Sequence, residues 1–155
     1  MATPIDVVIM AAGKGTRMKS ALPKVLHRLG GRALLSHVLQ RAAELSARQA
    51  VVITGHGAEV VEAALAGSPV DLPLQCVRQE PQLGTGHAVQ QALPQLQDDG
   101  VTLVLSGDVP LTATDTLQAL LALCDGRQLA LLTLDLPDPS GYGRVHVGLA
   151  GQAAD

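Results

Sequence analysis

Short apolar runs alternate along this chain with longer segments in which apolar residues recur at helical spacing. The runs are too short for helices and several are rich in β-branched residues, so they predict buried strands. Strands are expected at residues 7–12, 50–54, 74–77, 101–105, 129–136 and 144–147. The segments with helical spacing predict helices at residues 33–45, 58–66, 86–93 and 114–124, with Thr114 as a candidate N-cap.

This alternation predicts an α/β fold, with a mainly parallel sheet covered by helices on both faces. In such folds ligands bind at the carboxyl ends of the strands, near the point where the strand order reverses. The loops that follow or lie near predicted strand ends contain Gly13, His56, Gly84, Asp108 and Gly143. Because no internal repeat, low-complexity tract or linker divides the chain, residues 1–155 are expected to form a single domain.

Composition narrows the possible functions. A chain of 155 residues that is 47% hydrophobic is long enough for one buried core. Tyr142 is the only aromatic residue, so bases have no aromatic platform to stack on, and the net charge is −3. Both facts argue against a nucleic-acid partner. No apolar run approaches the ~20 residues that span a bilayer, and no signal pattern is present, so no membrane association and a cytoplasmic location are expected.

Several single residues are expected to be structural. Cys76 and Cys124 lack metal-ligand spacing and predict thiols buried in the core of a protein from a reducing compartment. His56 and His87 lie beside glycines near predicted element ends and are interpreted as structural. Tyr142 is expected to pack or to hold a loop.

The most informative stretch is a loop of small residues after the first predicted strand. Gly13 and Gly15 allow a sharp turn and a close approach to a ligand, and successive backbone N–H groups in such a turn hold anions. All three lysines of the chain, Lys14, Lys19 and Lys24, lie in or just after the loop, and no acidic residue occurs between Asp6 and Glu44. Cations concentrated beside a glycine loop favour a polyphosphate ligand, whereas the plainer interpretation is a solvated basic loop.

Two common nucleotide-binding patterns do not fit this loop. The P-loop requires Gly-Lys followed by Ser or Thr, but here Lys14 precedes Gly15. The dinucleotide pattern requires a third glycine where Met18 stands, and an acidic residue about 20 positions further on is missing as well. A different phosphate-binding loop is therefore expected.

Four stretches together resemble one family. They are MAAGKGTRM at residues 10–18 with Pro23 and Lys24 after it, QLGTGHA at 82–88, GDVP at 107–110 and DPSGYGR at 138–144. In this order they resemble the sugar-phosphate nucleotidyltransferases, and most closely the uridyltransferase domain of the bifunctional N-acetylglucosamine-1-phosphate uridyltransferase/glucosamine-1-phosphate acetyltransferase family. The resemblance implies a Rossmann-like nucleotide-diphospho-sugar transferase fold that is incomplete at its C-terminal side.

The resemblance also implies a reaction and the residues that serve it. UTP and N-acetylglucosamine 1-phosphate would give UDP-N-acetylglucosamine and pyrophosphate by in-line attack on the α-phosphorus, for cell-wall precursor synthesis. Arg17 and Lys24 would neutralise phosphate charge, and Asp108 would hold Mg²⁺. Nucleotide or sugar contacts are carried over onto Met10, Ala11, Ala12, Gly13, Lys14, Gly15, Gln79, Gly84, Thr85, Ser106, Gly107 and Gly143.

The resemblance has limits. The family's remaining sugar ligands, its second metal ligand and its acetyltransferase domain, through which a trimer is implied, lie beyond Asp155. A fragment that holds most of the UTP site and little of the sugar site is expected. Two alternatives stay open, namely another NTP transferase, such as a guanylyltransferase for molybdenum cofactor, and a catalytically incomplete nucleotide-binding fragment.

Overall fold

The strands in the described part of the chain form one four-stranded sheet and one small hairpin. The computed structural model describes residues 3–15, 18–124, 126 and 128–146. Its strands are β1 (Ile5–Met10), β2 (Arg28–Leu29), β3 (Arg32–Ala33), β4 (Gln49–Thr54), β5 (Leu74–Arg78) and β6 (Val101–Ser106). Its helices are α1 (Leu34–Glu44), α2 (Ala58–Ala66), α3 (Thr85–Ala92) and α4 (Thr114–Ala122). Among the described residues, no helix is long and apolar enough to cross a membrane.

The main sheet has the strand order β5-β4-β1-β6, and every neighbouring pair is parallel. β1 is central, with Val8 in register with Val51 on one side and with Val104 on the other. β2 and β3 pair antiparallel in a separate hairpin just before α1. The chain thus leaves the sheet after β1, passes through the hairpin and α1, and returns beside β1 as β4.

Helices cover both faces of the sheet, as the alternation of apolar runs predicted. One face places Val7 and Ile9 of β1 in a large cluster with side chains from α1, α2 and α4. The other face places Val8 in a smaller cluster with Ala88 and Ala92 of α3. Side chains of successive strand residues point to opposite faces. A central strand buried on both sides therefore needs an unbroken apolar run, which residues 7–10 of β1 provide.

The predicted elements 129–136 and 144–147 are not strands in the described residues. Residues 128–136 run as irregular chain, and Leu129 and Leu134 are 83% and 78% exposed. Residues 144–146 are irregular too, and residue 147 lies outside the described residues. The apolar pattern of 129–136 is that of a buried strand, but no described strand pairs with it.

Three predictions about single residues are wrong. Cys76 is exposed and Cys124 is half-buried, because β5 is an edge strand and Cys124 follows the end of α4. Tyr142 is 68% exposed, so it does not pack in a core, and its role in holding a loop stays a prediction. Thr114 is not the N-cap of α4; Ala113 holds that position without a side-chain cap, and the Thr114 hydroxyl donates to Glu44 Oε2 at 2.5 Å.

An apolar cavity of about 610 Å³ lies beside β6. It is bounded by β6, by Leu117 and Leu120 of α4 and by the irregular residues 128–132. β6 pairs only with β1 among the described strands, and Val104, which lies on the same face of the sheet as Val8 and α3, is still 41% exposed. The sheet is therefore well covered at β1 and β4 and poorly covered at β6.

Candidate active site

The backbone at the start of the loop after β1 is hydrogen-bonded to the ends of neighbouring segments. Ala11 N–H donates to the carbonyl of Ile53 at 2.9 Å, which extends the pairing of β1 with β4 by one residue. The Ala12 carbonyl accepts from Gln82 Nε2 at 3.0 Å and from the backbone N–H of His56 at 3.4 Å. These contacts fix the loop at the carboxyl end of the sheet, where parallel α/β folds bind their ligands.

The loop itself leaves backbone donors free. Among the described residues, the N–H groups of Gly13, Lys14 and Gly15 have no hydrogen-bond acceptor. Gly13 is exposed, and a Cβ there would meet open space, so its lack of a side chain widens the approach to these donors. Successive free N–H groups in a loop bind anions, and phosphate is the common case.

Gly15 is required for a different reason. Its φ is +56°, a conformation that L side chains rarely adopt, and a Cβ there would lie 2.9 Å from the Cβ of Lys24. Lys24 begins a single 3-10 turn, Lys24–Leu26, immediately after Pro23. Gly15 therefore allows the backbone of the glycine loop to touch the segment that carries Lys24.

A second glycine brings Asp108 to the same place. Gly107 follows β6, and its N–H donates to the Met10 carbonyl at 2.9 Å. A Cβ at Gly107 would lie 3.1 Å from that carbonyl oxygen and 3.2 Å from Val25 Cγ1. The turn after β6 can therefore lie flat against the end of β1, and Asp108 follows directly in that turn.

Lys24 and Asp108 meet across a cavity of about 510 Å³. The Lys24 ammonium forms an ion pair with Asp108 Oδ2, and the side chains are 43% and 30% exposed. The residues that line the cavity come from β1, the glycine loop, the 3-10 turn and the turn after β6; they are Met10, Ala11, Gly13, Gly15, Met18, Lys24, Val25 and Asp108. This cavity combines free N–H donors, one cation and one carboxylate, which suits a phosphate group with its counter-ion.

A second polar cluster lies at the carboxyl end of β5. Gln79 follows β5, and its backbone N–H donates to the Thr54 carbonyl at 2.8 Å. Its side chain is buried at 5% exposure, and Nε2 donates to the Gly84 carbonyl at 2.8 Å. Nε2 also lies 3.1 Å from His87 Nδ1. Because Gln82 bonds to Ala12, the loop that carries this cluster borders the glycine loop.

The structure gathers six of the fifteen predicted site residues in one cavity. Of those predicted, Met10, Ala11, Gly13, Gly15, Lys24 and Asp108 line it. Ala12 and Gly107 lie behind the lining and position it through their hydrogen bonds. Gln79 and Gly84 form the second cluster, and the exposed Thr85 begins α3 beside them.

Three other predicted residues, all within the described part of the chain, do not line this cavity. Lys14 is exposed on the loop, and Ser106 borders the apolar cavity beside β6 instead. Gly143 lies in the exposed irregular segment near the end of the described chain. Arg17 lies outside the described residues.

Sequence reasoning missed two lining residues and one contact. Met18 and Val25 contribute apolar surface to the cavity. Nothing in their spacing marked them, because only the fold brings the segments after β1 together. His87 was interpreted as structural, and its contact with Gln79 depends on the loop between β5 and α3.

The fold and the cavity agree with a known family of NTP transferase domains. A family model described as MobA-like NTP transferase domain matches residues 7–141, and the chain belongs to this family. Proteins of this family generally use a divalent metal.

Particular relatives are much more similar in sequence. The Bifunctional protein GlmU of Polaromonas naphthalenivorans (strain CJ2) is 78% identical over 145 residues, which are 92% of this chain and 31% of that protein. The Bifunctional protein GlmU of Polaromonas sp. (strain JS666 / ATCC BAA-500) is 74% identical over 152 residues, which are 94% of this chain and 32% of the relative. The chain thus spans less than a third of the length of these relatives.

One solved structure supports the fold alone. A nucleotidyl transferase from Methanothermobacter thermautotroptrophicus superposes with a TM-score of 0.65 at 24% identity, over 79% of this chain and 58% of that chain. The predicted α/β nucleotidyltransferase fold is confirmed.

Proposed function

We propose that the chain carries the nucleotide-binding part of a uridyltransferase that makes UDP-N-acetylglucosamine. UTP and N-acetylglucosamine 1-phosphate would yield UDP-N-acetylglucosamine and pyrophosphate. The observation that supports this most directly is the cavity in which the free N–H groups of the glycine loop, Lys24 and Asp108 meet. The similarity to the GlmU proteins supports the choice of substrates. A product of this kind serves cell-wall synthesis, and a reaction that consumes UTP belongs in the cytoplasm.

The chemistry needs positioning more than a protein nucleophile. A phosphate oxygen of the sugar 1-phosphate attacks the α-phosphorus of UTP in line, the bond to the bridging oxygen of the β-phosphate breaks, and pyrophosphate leaves with that oxygen. Negative charge moves onto the departing group, so cations and N–H donors fixed around it lower the barrier. The N–H groups of Gly13 to Gly15 would hold the phosphates, and Lys24 would offset the developing charge. Arg17 is carried over from the resemblance for the same role.

Asp108 fits a magnesium ion. Mg²⁺ takes oxygen ligands, often one or two carboxylates together with substrate phosphates and waters. The Asp108 carboxylate faces the cavity and already pairs there with a cation, the Lys24 ammonium. Mg²⁺ bound there would withdraw charge from the phosphates. Asp108 would then hold the metal, and the Lys24 ammonium would move from Asp108 to a phosphate.

The second cluster fits the base end of the nucleotide. Gln79 would contact the uracil, and Gly84 and Thr85 would contact the nucleoside. The bond from Gln82 to Ala12 places this loop against the phosphate-binding loop, so one nucleotide can span both. Gly143 is carried over as a contact of the sugar N-acetyl group, and the trimer implied by the resemblance stays a prediction for the longer protein.

Pyrophosphate release tests this proposal. The chain is incubated with Mg²⁺, N-acetylglucosamine 1-phosphate and either UTP or GTP, and pyrophosphate is measured together with the shift in melting temperature caused by each nucleotide. We expect UTP to raise the melting temperature more than GTP, and turnover to be weak. Asp108→Asn and Lys24→Met should each reduce the shift. A larger shift with GTP would favour a guanylyltransferase, and a UTP shift without any pyrophosphate would leave a nucleotide-binding module.

A further inference from the structure

The side-chain amide of Gln79 is held in one orientation. Its Nε2 lies 2.8 Å from the Gly84 carbonyl oxygen, which can only accept a hydrogen bond. The amide must therefore turn its nitrogen toward Gly84. The same nitrogen lies 3.1 Å from His87 Nδ1, so both amide hydrogens have an acceptor when Nδ1 is unprotonated.

The remaining polar atom of this amide is a free acceptor. Gln79 Oε1 has no hydrogen-bond partner among the described residues. Among the residues that the structure describes, only His27 Nε2 is a side-chain atom shut off from solvent without a partner, so the unpartnered Gln79 Oε1 is not shut off. A buried side chain thus keeps one accessible oxygen while its nitrogen is fully engaged.

The imidazole of His87 is itself fixed. His87 lies in the first turn of α3, next to Ala88, which packs under the sheet in the smaller cluster. Its second ring nitrogen, Nε2, lies 3.1 Å from Gln91 Nε2, one helical turn further on. Because Nε2 carries the ring hydrogen while Nδ1 accepts from Gln79, it bonds this amide when Gln91 turns its oxygen toward the ring. A ring held at both nitrogens can orient the group that it contacts.

The geometry points to His87 as a positioning residue for base selection. Together with the Gly84 carbonyl it turns Gln79 so that Oε1 faces the nucleobase, which favours a base with a ring N–H, such as the N3–H of uracil, over cytosine, whose N3 is an acceptor. This inference rests on the proposed function, because it takes the Gln79 loop as the base end of the site. Without His87, the Gln79 amide keeps only the bond to Gly84 and turns more readily.

Binding of two pyrimidine nucleotides tests this role. Dissociation constants for UTP and CTP are measured with Mg²⁺ by calorimetry for the unchanged chain, His87→Ala, His87→Asn and His37→Ala. The control removes a histidine whose ring bonds a backbone carbonyl, Leu29 O at 2.8 Å, far from Gln79 in the chain. We expect His87→Ala to lower the preference for UTP over CTP about fivefold, in line with the loss of one hydrogen bond. His87→Asn keeps an acceptor near the Nδ1 position and should retain most of the preference, and His37→Ala should retain all of it.

A double-mutant cycle with Gln79→Ala separates positioning from general destabilisation. If His87 acts through Gln79, His87→Ala should change the UTP to CTP ratio little once Gln79 is gone. The inference is overturned if the unchanged chain prefers UTP but His87→Ala keeps that preference, or if His87→Asn loses as much as His87→Ala. A chain that binds UTP and CTP equally would overturn the proposed base site itself, so the two failures differ.

Discussion

At the scale of single residues, the contact between Lys24 and Asp108 has a consequence for binding. Lys24 is proposed to bind a phosphate and Asp108 to bind the metal ion. In the protein without ligand, however, the two side chains form an ion pair with each other. A divalent cation must displace the Lys24 ammonium from the carboxylate, and the released ammonium is then available to a phosphate. The metal and the nucleotide should therefore bind with positive coupling, since each one assists the other.

Lys24→Met separates these effects, with Mn²⁺ as the probe. In the absence of nucleotide, the variant should bind Mn²⁺ more tightly than the unchanged chain, because the competing cation is gone. Its affinity for UTP should fall at least about tenfold, since a hydrogen bond to a charged group contributes about 1.5–3 kcal/mol. Mn²⁺ is followed by electron paramagnetic resonance and UTP by calorimetry. Lys19→Met removes the same charge outside the cavity lining, and equal Mn²⁺ affinity in both variants would contradict the coupling.

The local sequence predicted which residues belong to this site better than it predicted which side chains they contact. The glycine loop, Lys24 and Asp108 stand in short motifs whose chemistry is local, and the structure brings them together. The orientation of Gln79 was not predictable, because it depends on a histidine eight residues away beyond a loop. The burial of Cys76 was predicted wrongly, because its apolar neighbours do not reveal that β5 is the last strand at its edge.

At the scale of secondary-structure elements, a buried ion pair fastens the start of β1 to the start of β4. Asp6 is 1% exposed, and Arg48 donates to both of its oxygens, from Nε at 3.0 Å and from a terminal nitrogen at 2.7 Å. The backbone N–H of Gln97 adds a third bond at 3.3 Å. These hydrogen bonds, with Arg48 as the main cause, hold the pKa of Asp6 below its ordinary value of 3.8.

Asp6→Asn should lower the free energy of unfolding at pH 7 by about 2 kcal/mol, because the buried side chain loses the charge that accepts from Arg48, whose guanidinium is only partly exposed. The pKa of Asp6 is lowered by folding, so its contribution is complete above the unfolded value, about 3.9. It is lost as the pH falls through the folded pKa. Urea unfolding should therefore show the two proteins converging below pH 4. Asp99→Asn removes an exposed partner of the same Arg48 and should cost under about 1 kcal/mol; equal losses would refute the argument.

The pattern of apolar residues predicted the long helices and strands. It failed where the formation of a strand depends on a neighbouring strand to pair with. The strands of the main sheet and the four helices were expected within about two residues at most ends. The hairpin of β2 and β3 was missed, since two residues per strand leave no alternation to recognise. Residues 129–136 have the apolar content of a strand, but a strand also needs a neighbour, and no described strand provides one.

At the scale of the whole molecule, the edge strand β6 is the least protected part of the sheet. It has neither a charge nor a proline, the two devices that usually prevent strands from pairing between molecules. Thr102 and Val104 are exposed on one face, and the apolar cavity lies beside the strand. The opposite edge, β5, is different, because Arg78 at its end pairs with Glu59 and Glu62 of α2.

The chain should therefore self-associate through β6, and Val104→Lys should prevent this. Partly uncovered edges associate at micromolar to millimolar concentrations, so sedimentation velocity from about 10 to 300 µM covers the range. The substitution should change stability by only about 0.5 kcal/mol, since Val104 is 41% exposed. Val60→Lys is the matched control, because Val60 is 50% exposed on α2, away from this edge. If the unchanged chain is a monomer throughout, or if both variants associate alike, β6 is not the associating edge.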